Sequence, residues 1–484
     1  MVAVTGLGSG LDIDGLVAGL VGAERVPKEI RLNEREASAT ALISAFSSTK
    51  ASLTEFEAIV ASLAKPATFA TSTASISDST KATVTATSSA ALGSYQLSVQ
   101  NLASAQTLTS GTFSSTSDTL GTGTLTIALG SPTYAGTSPD SYTAFSQTSS
   151  VDITIDGSNN TLAGVRDAIN ASNADVTASI LKNGDNYQLL LVSENTGAAN
   201  SISISVSGDG DATDTDNSGL SQLSYNASNA HLTQSRAGGD AEFTLNGLSV
   251  VSSSNTVTDV IDGVTLTLQS QTTSDITLNV TNDAVGIIDQ IQAFVDGYND
   301  YATLTSGLVA YNAETGEAGV LQGDSTARSV SSQIRQDLSA QVSGLNASYT
   351  SLSDVGITVK RDGTMMLDSS KLLSALNQDL DAVAAVFSST TYNGVAVTGI
   401  AASLETRLDA YLATDGVFSS RTNSLNDQLK QVAADREVLD KRMQAVEARY
   451  YRQLNAMDSL LAEIESTGNF LQQQFKAMQA VNDN

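Results

Sequence analysis

The sequence has no cysteine, no tryptophan, one histidine and four prolines in 484 residues. Without cysteine there is no disulfide framework, thiolate nucleophile or cysteine-based zinc cluster. The lone imidazole, His231, leaves no multi-histidine metal site and nothing that reads as a Ser-His-Asp or Cys-His arrangement; it reads as an ordinary polar-loop residue. Cations are scarce too, 24 against 51 acidic side chains, and the formal charge of −27 repels nucleic acid and anionic lipid. No stretch reaches the roughly 18 consecutive apolar residues of a membrane span, so membrane insertion is not expected. The opening MVAVTGLGSGLDIDGLVAGLV lacks a basic n-region and is interrupted by Asp12 and Asp14, so no cleavable signal peptide is expected and any export must read an uncleaved terminus. Charged residues are only 15% and aromatics 5%, so polarity comes mainly from Ser, Thr, Asn and Gln, while 41% hydrophobic residues suffice for real cores. The length implies roughly two to four domains.

What is present is unevenly distributed. Between Lys65 and Arg328 the only cations are Lys81, Arg166, Lys182 and Arg236, whereas the chain from Glu405 onward carries nine. Pro27 and Pro66 bracket a segment free of Gly and Pro that reads as one long helix from Lys28 to Lys65. Within it Leu42, Phe46, Thr49, Leu53, Phe56, Val60 and Leu63 recur in steps of four and three, a seam of coiled-coil type. Ile13, Leu16, Val17 and Leu20 give a shorter amphipathic stretch weakened by Gly15, Gly19 and Gly22, predicted to stay mobile until a partner orders it. Val417 to Thr467 is a second long helix, with a heptad seam from Leu425 through Leu429, Val432, Leu439, Met443, Val446, Tyr450, Leu454, Met457, Leu461 and Ile464. Gly468 is predicted to interrupt it before Leu471, Phe475 and Met478 resume the phase.

From Thr68 to about Val280 the texture changes to alternating runs such as KATVTATSS, GTLTIALG, SISISVSG and DITLNVTN, which read as strands. A short helix at Leu162 to Ala171 followed by three strands makes a small α+β unit within this region. Helical periodicity returns over Asp283 to Val309, Ser325 to Val342 and Ser369 to Phe387, with a hairpin turning at Asp362 and Gly363. The simplest arrangement packs the terminal and middle helices as one bundle with the β region inserted. The fold class is therefore multidomain α+β, its N- and C-terminal helices paired and mainly-β domains inserted between them.

Motifs that invite chemistry have simpler readings. Gly6, Gly8 and Gly10 lack the G-x-G-x-x-G spacing and any surrounding βαβ unit, so no nucleotide cofactor is expected. The stretch DGDATDTDNSGL from Asp209 mimics half a calcium loop, but from Asp214 the twelfth position is Tyr225, not Glu; it reads as a solvated acidic loop, and no metal is expected. Carboxylate pairs such as Asp12 with Asp14 are coincidence among so many acids. No catalytic residue is assigned.

Several stretches resemble the bacterial flagellar filament cap family, hook-associated protein 2 (FliD): Gly6-Leu-Gly-Ser-Gly-Leu-Asp12, Val26-Pro27, Gly93-Ser-Tyr95, Leu102-Ala103, VDGYND, GVLQGDS, LSDVGITVKRDGTMMLD, DGVFSSR and NFLQQQF. The unit around Leu162 to Ser205 is similar to a repeat inserted in flagellins and hook-associated proteins. The resemblance implies a helical terminal coil, a helical leg and β head domains. It also implies a non-enzymatic role, an oligomeric ring at the filament tip, pentameric in the family, that retains exported flagellin and promotes its polymerisation. The further partners it implies are hook-filament junction proteins and an export chaperone at the C-terminal helix, with secretion by the flagellar type III route. Pattern and resemblance together give an expected partition: 1–40 with 440–484 as terminal coil, 41–70 with 284–439 as leg, 71–112 with 236–283 as first head domain and 113–235 as second. Filament or subunit contact is expected at Leu11, Ile13, Leu16, Leu20, Leu454, Leu461, Ile464, Leu471 and Phe475, whose surroundings leave too little apolar face for an isolated domain. The alternative is an adhesin whose heads bind glycans, although without tryptophan the stacking platform for sugars is thin.

Overall fold

A computed structural model describes residues 12–134, 142–314, 316–345 and 347–482. Leu11 and the glycines at 6, 8 and 10 lie outside the described residues. The chain forms two compact units, one from its two ends, bounded at Phe69 and Ala284, and one spanning Ala70–Asp283. Eight helices are described: α1 (Ile13–Leu63), α2 (Leu162–Asn170), α3 (Ala284–Val309), α4 (Ser325–Leu338), α5 (Ser369–Gln378), α6 (Leu380–Phe387), α7 (Ile400–Leu412) and α8 (Val417–Asn482).

The helical unit is organised by the two long helices. The Asp12 carboxylate accepts the Gly15 N–H at 2.9 Å and caps α1. The helix then runs straight through Pro27, instead of starting at Lys28. A proline costs an interior helix about 3 kcal/mol because it removes an N–H and crowds the preceding turn. Contacts to α8 on both sides of it, with Ile13, Val17 and Leu32 buried, offset that cost. Gly468 likewise does not interrupt α8, since one residue of low propensity is outweighed by good helix formers on both sides. The N-terminal seam is buried as its spacing predicts: Phe46, Leu53, Phe56, Val60 and Leu63 are each at most 1% exposed. Phe56 meets Phe294 at 5.5 Å between ring centroids, and Phe69 stacks on Phe387 at 5.7 Å. Each such ring contributes about 1.5–3 kcal/mol by leaving water.

Around this seam α1 packs on α3 and α7, and α4 packs on the same two helices, so the four close a cycle α1-α3-α4-α7. Asp324 ties α4 down: its carboxylate accepts the Thr326 and Ala327 N–H groups and pairs with Arg421 of α8 at 2.9 Å, while the Arg421 guanidinium lies over Phe46. The expected helix from Ser369 to Phe387 is two helices, because Asp379 leaves helical geometry and caps α6 through the Ala382 N–H. The expected hairpin is present as Ile357–Val359 paired with Met365–Leu367, its turn held by the Asp362 carboxylate on Thr364 and by Gly363 at φ +88°. A second hairpin, Ser389–Tyr392 with Val395–Thr398, was not read from the sequence.

Among the described residues the β unit contains fifteen strands: β1 (Ser72–Ile76), β2 (Ala82–Ala86), β3 (Gly93–Asn101), β4 (Thr107–Thr109), β5 (Gly123–Thr133), β6 (Ala144–Ile155), β7 (Val176–Asn183), β8 (Asn186–Ser193), β9 (Ser201–Ser207), β10 (Thr233–Arg236), β11 (Ala241–Leu245), β12 (Leu248–Ser252), β13 (Thr256–Val257), β14 (Val264–Leu268) and β15 (Ile276–Asn282). Every pairing is antiparallel. One core, including Leu97, Phe243, Leu266 and Leu278, lies between the sheet β1-β15-β3-β11-β12 and the sheet β13-β14-β2. A second, including Leu125, Ile127, Leu189, Ile202, Ile204 and Tyr225, is built by β10-β4-β8-β7, by β6-β5-β9 and by α2. Here β4 pairs with β8, and Leu108 packs in the second core.

Candidate functional site

Helices α1 and α8 run antiparallel as a coil whose own small core is Leu32, Val432, Leu439, Met443 and Val446. The register brings Leu32 of α1 against Val432 and Leu439 of α8. Polar pairs along the flanks fix that register. Arg35 meets Asp435 at 3.1 Å, Arg25 meets Asp440 at 2.7 Å, and Arg436 bridges Asn33 and Glu36. Further along, the Tyr450 hydroxyl donates to Glu24 at 2.8 Å and the Tyr451 hydroxyl to Asp14 at 3.0 Å, a bond that raises the Tyr451 phenol above its ordinary range. Each exposed pair contributes little alone, about 0–1 kcal/mol, but together they exclude a slip of the helices.

The pairing with α1 reaches Tyr451, yet α8 continues to Asn482. At ~1.5 Å per residue the remaining helix is roughly 45 Å long. Along it Met457, Leu460, Ile464, Leu471, Phe475 and Met478 recur at steps of three, four and seven, and all are exposed, Ile464 by 66% and Phe475 by 62%. Leu454 and Leu461 are half-buried. On α1 the candidates divide: Ile13 is 1% exposed against α8, whereas Leu16 and Leu20 are 45% and 42% exposed on the outer face. Ile13 is therefore already satisfied within the chain and does not await a partner. Val26 and Ile30, both about half exposed, extend the outer stripe of Leu16 and Leu20 and were missed. Their signal was an apolar phase displaced from the buried seam of Ile13, Val17 and Leu32.

An exposed apolar stripe on a long helix can take up a complementary helical face; it offers no nucleophile and no general base. Elsewhere, the buried Asp209 carboxylate accepts the Ser221 N–H at 2.7 Å and its hydroxyl at 2.5 Å, so the loop that mimics a calcium site is anchored to its own backbone. His231 lies 3.3 Å from the Thr215 carbonyl oxygen. Among the described residues no group of three His, Cys, Asp or Glu side chains is placed to hold a metal, and no helix is long and apolar enough to cross a membrane.

Known proteins share this construction. The family described as flagellar hook-associated protein 2 matches at its N-terminal part over residues 9–106 and at its C-terminal part over residues 238–466. The chain is 31% identical to the A-type flagellar hook-associated protein 2 of Pseudomonas aeruginosa, covering 98% of this chain and 97% of that protein. It is 32% identical to the flagellar hook-associated protein 2 of Escherichia coli K12, covering 98% of each. The crystal structure of the D1-D2-D3 domains of the Escherichia coli flagellar cap protein FliD aligns with a TM-score of 0.60 at 32% identity, over 79% of this chain and 99% of that one. Terminal helices paired around inserted β domains, and relatives matching along nearly the full length, place this chain in the flagellar hook-associated protein 2 family.

Proposed function

We infer that this chain is a structural cap at the distal end of the bacterial flagellar filament, where it associates with copies of itself and with the filament. The observation that carries this reading is its near full-length similarity to flagellar hook-associated proteins 2 and to a flagellar cap structure. The adhesin alternative gains no support from these relatives. The finer picture is a non-enzymatic assembly factor, exported by the flagellar type III route, that forms a ring, pentameric by family resemblance, and retains exported flagellin while promoting its polymerisation. Junction proteins at the hook and a chaperone on the C-terminal helix complete the set of partners.

In this reading the exposed stripes do the docking: Leu16 and Leu20 on α1, and Leu454, Leu461, Ile464, Leu471 and Phe475 on α8, with Leu11 grouped with them by sequence. The four packed cores act as terminal coil, leg and two head domains. The support is physical. An apolar stripe this long stays soluble in a secreted subunit only until a complementary face covers it. Removing Leu454 to Asn484 is expected to abolish filament growth while the β unit still folds. Normal filaments from a strain carrying only that truncation would refute the assignment of docking to this segment.

A further inference from the structure

We propose that the helical unit carries a charged contact between copies of this chain: the cationic crevice between α3 and α4 of one copy receives the acidic cluster on α1 and α7 of the next. This rests on the reading of the chain as a self-associating cap.

The crevice, about 150 Å³, is floored by Tyr298, Tyr301 and Ser331 and flanked by Arg328 and Arg335. Both arginines are exposed. Arg328 points its guanidinium at the carbonyl oxygens of Gly323 and Asp324, not at a carboxylate. Arg335 makes no ion pair among the described residues, and Asp362 at the crevice mouth has a carboxylate oxygen already engaged by Thr364. Neither arginine pairs with a carboxylate among the described residues, although the chain has 51 acids to 24 cations and Arg25, Arg35, Arg407, Arg421, Arg436 and Arg449 each hold one.

The converse is found on the other side of the unit. Glu57 of α1 lies near Glu405 and Asp409 of α7, and no cation pairs with the three among the described residues. Partial burial, and then the charges of Asp409 and Glu405, raise the Glu57 carboxyl above its ordinary range, so the group gains from an added cation.

In the cycle α1-α3-α4-α7 the α1/α7 and α3/α4 pairs are on opposite edges. They cannot meet within one chain. A head-to-tail contact between copies brings them together at every interface, and a contact of that heterologous kind closes into a ring when its rotation allows. Charge also selects the partner: with a formal charge of −27, two copies repel unless a contact matches cation to acid.

The test is a charge swap in the full-length chain, read as assembly mass in solution by sedimentation across a concentration series, with melting followed by circular dichroism as the folding control. R328E/R335E makes both sides acidic and E405R/D409R makes both basic; each is expected to weaken association by about tenfold or more. The quadruple variant exchanges the two signs and is expected to regain assembly. Unchanged assembly in both double variants, or folded double variants whose loss is not restored in the quadruple, would overturn the contact. If a double variant loses its melting transition, R335Q and E405Q carry the same test with smaller shifts. A wild-type chain that stays single at every concentration would instead sink the self-association reading itself, which separates the two failures.

Discussion

Two tyrosines in separate cores show how burial of a single polar group becomes a measurable property of the fold. The Tyr142 hydroxyl reaches Ser203 at 2.7 Å and the Tyr225 carbonyl at 3.2 Å within the second β core. Tyr301 meets Ser331 at 3.2 Å in the helical unit. Burial disfavours the phenolate, and each phenol is pushed up to about 12. An unfolded phenol ionises near pH ~10. Above that value the unfolded chain releases protons that the folded chain keeps, so the stability held by these two groups is complete below about pH 10 and falls as pH rises toward 12. Phenolate absorbance of the native chain should therefore rise in two stages, exposed tyrosines first, and Y142F and Y301F should each remove amplitude only from the late stage. Loss of amplitude from the early stage would show the phenol is open to water.

At the scale of elements, what the sequence disclosed followed periodicity. The seams read from Leu42 to Leu63 and from Leu425 to Val446 were legible because a heptad repeats itself and needs no knowledge of the partner, although Leu42 and Leu429 are only half-buried. The strands of the β unit were legible from alternation. Features set by tertiary contact were not: α1 begins at Ile13 because α8 covers it, β4 joins the second core because β8 lies there, and one helix breaks at Asp379 because a carboxylate caps the next turn. The candidate site shows the same division, since the stripe from Leu454 to Phe475 was readable while the buried state of Ile13 depended on register across more than four hundred residues. Gly468 tests how much of the distal helix rests on propensity alone. Nothing lies within 4 Å of where its Cβ would be, so Gly468→Ala adds no contact and removes only backbone freedom, about 1 kcal/mol. Amide exchange of the flanking turns in the isolated subunit should slow by roughly fivefold, the equivalent of that energy. Unchanged exchange would mean the segment is held by something other than its own helix.

For the whole molecule, the consequence lies in how the β unit is threaded into the helical one. Its first and last strands, β1 and β15, pair along their full length from Ser72 opposite Asn282 to Ile76 opposite Leu278, and the Asp283 N–H donates to the Thr71 carbonyl at 2.9 Å. The chain therefore leaves and returns at adjacent points, so the helical unit need not close a long open loop when the β unit is absent. Each unit also has its own cores, and among the described residues no helix or strand is shared between them. Residues 70–283 alone should fold with a cooperative urea transition, and joining Phe69 to Ala284 through about four glycine-rich residues should leave a helical protein with its own transition. Circular dichroism of the two pieces should sum to that of the intact chain, because the ladder between β1 and β15 lies wholly in one piece and the seam of α1 with α3, α7 and α8 wholly in the other. A helical piece that unfolds when the link is made would show that the β unit supplies more than the closing of two neighbouring ends.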